Sequence, residues 1–197
     1  MQPDGKQGSG PAPYWEGQLI RHLDDLRTGT YERATTRAGR EAVFRSAVDL
    51  LSGTVLASLR AVNTWLLSSH GDVTFSGVTA DDDGGIAASW DLVWPAQQAS
   101  PGRLHPRPVP AVQVRAIFPR GWTHGHLRGH RLGNWPLQVT SPADVPALKP
   151  IIGAIIAAEL HEVIYESAGT WQVIDGYLAQ AGHLGTRRLA QAEKPVP

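Results

Sequence analysis

The chain has 197 residues, enough for one domain with a full hydrophobic core, and 42% of them are apolar, an ordinary share for a soluble globular protein. It contains no cysteine, which excludes disulfides, a thiolate nucleophile and cysteine-ligated zinc. Eighteen basic residues balance eighteen acidic ones, so no bulk charge draws it to nucleic acid or a membrane surface.

"MQPDGKQGSGPAP" has no apolar signal core and reads as a flexible lead-in over 1–13. A single α+β domain is expected over 14–182, followed by a frayed tail at 183–197. The first helix is expected in "YWEGQLIRHLDDLRTG", where Trp15, Leu19, Leu23 and Leu26 form one apolar stripe and Gly29 supplies a stop. "GREAVFRSAVDLLSGTVLASLRAVNTWLLSSHG" keeps the helical period from Val43 to Leu66, as one long helix or as two parted near "SGT" at Ser52.

The period then changes to two. "DVTFSGVTA" and "GIAASWDLVW" flank "DDDGG" as a hairpin, and "PAQQASPGRLHPRPVP" reads as an exposed connector. "AVQVRAIF", "WTHGHLRG" and "NWPLQVT" supply further strands. In "SPADVPALKP" the order Ser141, Pro142, Asp144 is a capping signature, with Pro150 restarting the helix of "IIGAIIAAELHEVIYES". A shorter helix is expected in "TWQVIDGYLAQAG". The apolar run from Ile151 is too short to span a bilayer, so the expectation is a soluble, cytoplasmic protein with no membrane association.

This order predicts an α+β fold: N-terminal helices, an antiparallel meander of four to five strands, and C-terminal helices packed on one sheet face. Alternation turns Phe75, Trp90, Leu92, Trp94, Val112, Val114, Phe118, Trp135, Leu137 and Val139 toward the helices. Ser89, Asp91, Gln113, Arg115, Gln138 and Thr140 fall on the other face. His124, His126 and Arg128 join them if their strand keeps its neighbours' phase.

"WTHGHLRGHRLGNW" gathers three histidines and two arginines between two tryptophans, and no acid occurs from Leu92 to Ala143. Arg115, Arg128 and Arg131 offer permanent charge there, and His124, His126 and His130 offer charge that appears on acidification. With Trp122 they are the candidate ligand-binding set, suited to an acidic protein or another anionic partner. His124 and His126 could also do acid–base chemistry with Asp91, although an Asp91–Arg115 ion pair competes for that carboxylate. Two histidines on a strand lack a fixed third ligand, so no metal and no cofactor are expected. Glu159, Glu162 and Glu166 read as a solvated acidic edge.

"GVTADDDGG", "WDLVWP", "RPVPAVQV", "THGHL" and "NWPLQVTSPADV" follow one another in the order of hairpin, proline-ended strand, proline-rich approach, histidine motif and tryptophan-proline before a helix. Over roughly 77–156 this resembles the ubiquitin-conjugating-enzyme-like fold. With no cysteine to carry a thioester, the resemblance is to the inactive type and implies a non-catalytic binding scaffold. The interval from His124 to Trp135 is shorter than in that family, and the helical front end is longer. The expected function is therefore a non-catalytic interaction or assembly module for an acidic partner. The second reading is a small enzyme using His124, His126 and Asp91, and the third a nucleic-acid binder. The oligomeric state does not follow from the sequence.

Overall fold

The computed structural model describes residues 14–102, 109–130, 133–167 and 173–174. The lead-in, the tail and most of the last predicted helix lie outside the described residues, as does Arg131. In chain order the elements are α1 (Tyr14–Thr28), α2 (Arg37–Leu66), β1 (Asp72–Phe75), β2 (Thr79–Ala80), β3 (Ile86–Val93), α3 (Pro95–Ala99), β4 (Val112–Phe118), β5 (His126–Arg128), β6 (Trp135–Pro136) and α4 (Val145–Glu166).

The α+β architecture is the expected one. Strands β1, β3, β4, β5 and β6 lie side by side in that order, every pair antiparallel, and β2 also pairs with β3. Trp90, Leu92, Val112, Val114, Ala116 and Phe118 are buried on one face, against α2 and α4. Phe75 points the same way but sits at the rim, half-exposed and stacked on Trp90 with ring centroids 5.1 Å apart.

Helix α2 is continuous. Thr36 caps it by accepting from the Gly39 N–H at 3.2 Å, and the Ser52 hydroxyl donates back to the Val48 carbonyl at 2.9 Å, so "SGT" does not break it. Phe44, Ala47, Val48, Leu51, Val55 and Leu59 recur at helical spacing and form the centre of the core. Among the described residues α2 alone is long and apolar enough to cross a bilayer, but here its apolar face lies along the back of the sheet.

Several expectations need correction. Helix α4 runs unbroken through Pro150, after a 3-10 turn at Pro142–Asp144 where the Asp144 carboxylate accepts from the backbone N–H of Thr140 and Ser141. The connector is not wholly exposed: α3 buries Gln97, whose amide donates to the Val109 carbonyl. Gln138 is buried because it lies past the end of β6, where its amide donates to Asp25 at 3.1 Å. Glu159 is buried as well. It is held at the end of β5, accepting from the His130 N–H at 2.8 Å, so the acidic edge of α4 is not a uniformly solvated one.

The largest departure is in α1. Core burial was the default expectation for its apolar stripe, with a partner or self-association face as the alternative, and Trp15, Leu19, Ile20, Leu23 and Leu26 are between 39% and 64% exposed. The polar side is the one that docks. Gln18 and Asp25 are buried, and Arg21 reaches both the Asp144 carboxylate and the Gln138 carbonyl at 2.9 Å. Polar anchors thus fix the helix with its apolar face outward.

Candidate functional site

Two neighbouring features gather the residues singled out from the sequence. The first is on the sheet face turned away from α2 and α4. The ladder sets Ser89 opposite Arg115 and Arg115 opposite Arg128, with Ile117 opposite His126 in the next row. Since side chains alternate, Arg115, Arg128 and His126 share this face, but His124, expected beside them, precedes β5 and is buried against Tyr31. A groove of about 380 Å³ opens here. Its lining includes Ser76, Thr79, Ser89, Gln113, Arg115 and His130, with no carboxylate among the described residues.

Asp91 lies further along the same face but does not pair with Arg115. It faces Gln113, accepts from its amide at 2.5 Å, and also accepts from the Ser89 hydroxyl at 2.8 Å. Arg128 donates to the carbonyls of Gly129 and His130, each at 3.1 Å, which turns its guanidinium back over the turn. Neither Arg115 nor Arg128 belongs to an ion pair among the described residues. Of the acids of "DDDGG", Asp81 is engaged in its own turn, accepting from the N–H groups of Asp83 and Gly85.

The second feature is a histidine cluster under α1. His22 meets His124 and His126 edge-on, with ring centroids 4.7 and 5.6 Å apart, and Trp122 packs edge-on against His126 at 4.9 Å. Gly125 makes this possible: a Cβ there would lie 2.6 Å from Phe44 and 3.0 Å from the Tyr31 hydroxyl, so only glycine lets the His-Gly-His turn sit this deep. His124 is buried. Its Nδ1 is 2.6 Å from the Thr123 hydroxyl, and its Nε2 is 4.0 Å from the Asp25 carboxylate.

Asp25 and His22 therefore occupy the place expected of Asp91, and Asp91 does not meet the histidines. Asp25 accepts from Thr30 at 2.7 Å, from the Glu32 N–H at 2.8 Å and from Gln138. Burial pushes its pKa up, but those hydrogen bonds outweigh it and hold the carboxyl below the usual range. Burial lowers all three histidines. For His126, burial and then the neighbouring His22 bring the value down to about 4; for His124, burial and His22 prevail over Asp25. Burial thus works against the gain of charge expected of His124 and His126 on acidification. Among the described residues no cluster is set to hold a metal ion.

The sequence held a signal for His22 and Asp25. Gln18, Arg21, His22 and Asp25 recur at spacings of three and four, a second stripe opposite the apolar one. Polar stripes ordinarily face solvent, and this one is inside. Comparison with protein-family models, with curated proteins and with solved structures finds no match.

Proposed function

We propose that the protein is a non-catalytic interaction module that takes an acidic partner on the open face of its sheet, around Arg115, Arg128 and His130. One observation carries this reading: Arg115 and Arg128 are direct cross-strand neighbours on the face turned away from α2 and α4, beside a groove with no carboxylate among the described residues. Like charges set opposite each other in a ladder cost stability, and a bound carboxylate or phosphate removes that cost. The hydroxyls of Ser76, Thr79 and Ser89 and the exposed imidazole of His130 add donors around the same opening. The likeness to non-catalytic relatives of ubiquitin-conjugating enzymes agrees in kind with a binding role.

The enzyme reading has less support. His124 is buried, its separation from Asp25 exceeds hydrogen-bonding distance, and Asp25 is occupied by other donors. These groups hold α1 against the sheet and offer a substrate no approach.

The test is titration of a fluorescent poly-glutamate peptide and of a mixed-sequence DNA duplex. The expected result is peptide binding that weakens with salt and falls about tenfold or more in Arg115→Ala and Arg128→Ala. Tighter binding of the duplex would favour the nucleic-acid reading. Peptide affinity indifferent to salt and to both substitutions would overturn the proposal.

A further inference from the structure

We infer that two copies of this chain associate through the outward apolar face of α1, the helices packing antiparallel about a twofold axis. Trp15, Leu19, Ile20, Leu23 and Leu26 form one continuous outward stripe, on the side opposite the buried Gln18 and Asp25. The anchors on that opposite side, Arg21 to Asp144 and Gln138 to Asp25, fix the helix on the domain, so the apolar face stays outward. An exposed apolar face of this extent on a folded domain marks an interaction surface.

The stripe is complementary to its own copy. A twofold axis near the level of Arg21 sets Leu19 of one protomer against Leu23 of its partner and Trp15 against Leu26. Glu16, in the first turn, then comes within reach of Arg27, in the last turn, at both ends of the interface. The stripe offers on the order of 500 Å² of apolar surface per copy, and with its charged rim a pair passes the roughly 1,000 Å² that a specific interface needs. A lipid surface is a poorer fit, because the charges beside the stripe, half-buried Glu16 and the exposed Asp24–Arg27 pair, include two acids and no cluster of lysine or arginine.

Sedimentation equilibrium of the full chain over a wide concentration range tests this. The expected result is a reversible monomer–dimer equilibrium. Leu23→Glu should shift it toward monomer by about a hundredfold, with an unchanged circular dichroism spectrum because the side chain is 55% exposed. Glu16→Arg and Arg27→Glu should each weaken the dimer about tenfold, and the double exchange should restore it. A wild-type chain that stays monomeric throughout would overturn the inference, whether a lipid vesicle or the chain's own C-terminal segment turned out to cover the helix. So would a dimer that tolerates Leu23→Glu, or single charge changes that the double exchange fails to rescue. The groove variant Arg115→Ala should leave the dimer unchanged, which separates this result from the partner-binding test.

Discussion

The carboxylate of Asp25 stands 4.0 Å from Nε2 of His124, across the seam where α1 meets the turn before β5. His22 and His126 crowd the same seam, and burial lowers the pKa of all three imidazoles. A histidine kept neutral by the fold takes up its proton more readily once unfolded. Its stabilising contribution is complete above about pH 6.5 and is lost as pH falls toward its folded value, about 4 for His126. Denaturation midpoints measured from pH 8 to pH 4 should therefore decline through this window. His126→Gln should flatten part of the decline, and a level wild-type profile would contradict the account.

Asp25 is also the acceptor that ties α1 to the loop after it and to Gln138. Asp25→Ala should leave the Glu32 N–H, the Thr30 hydroxyl and the Gln138 amide without their partner, at about 1–3 kcal/mol. Urea unfolding gives the loss, and limited proteolysis should show earlier cleavage at α1 than in the wild type. A substitution that changes neither measurement would mean that α1 is held by other contacts.

Gly125→Ala should destabilise by about 1–3 kcal/mol, because the new methyl group meets the Phe44 ring and the Tyr31 hydroxyl, both part of a packed core. Gly129→Ala meets the Glu159 carboxylate instead, so it should both destabilise the fold and disturb the groove beside His130. Unfolding curves for the two variants, with peptide binding measured on each, separate these effects. Gly125→Ala at wild-type stability would contradict the close approach.

Replacing Arg115 by Thr should stabilise the free protein slightly, by about 0.2–1 kcal/mol, since it removes a like-charge pair from the ladder. The same substitution should abolish salt-dependent peptide binding. A variant that loses stability without its charge would show that Arg115 has a structural partner, and the groove would lose its claim as a site.

The sheet was legible because the alternation in "IAASWDLV" and "VQVRAIF" has one period and one consistent phase, and buried Trp90, Leu92, Val112 and Val114 follow from it. The same phase put His126 and Arg128 on the face of Arg115, but it failed for His124, which lies before β5 and is buried. Past β6 that logic stops, because Gln138 follows no ladder and is placed by Asp25, a residue far away in sequence. Helix α1 was legible as a helix, while its facing was left between burial, the default, and an outward association surface. An apolar stripe predicts burial against something, but periodicity alone does not say whether that something is the chain's own core. Asp91 was the candidate for its nearness along one sheet face, whereas the contact that forms, with Asp25, crosses from a helix to a turn.

Tyr31, fully buried, donates its hydroxyl to the Leu137 carbonyl at 2.6 Å, across 106 residues of sequence. The Arg21–Asp144 and Asp25–Gln138 links span 123 and 113 residues in the same direction. Closing loops of that length costs chain entropy before any contact rewards it. The hairpin of β1 to β3 and the β3–β4 ladder need no such closure and can assemble beforehand. During synthesis the first helix consequently waits, its polar anchors unmatched, until the ribosome has released the segment around Leu137 to Asp144.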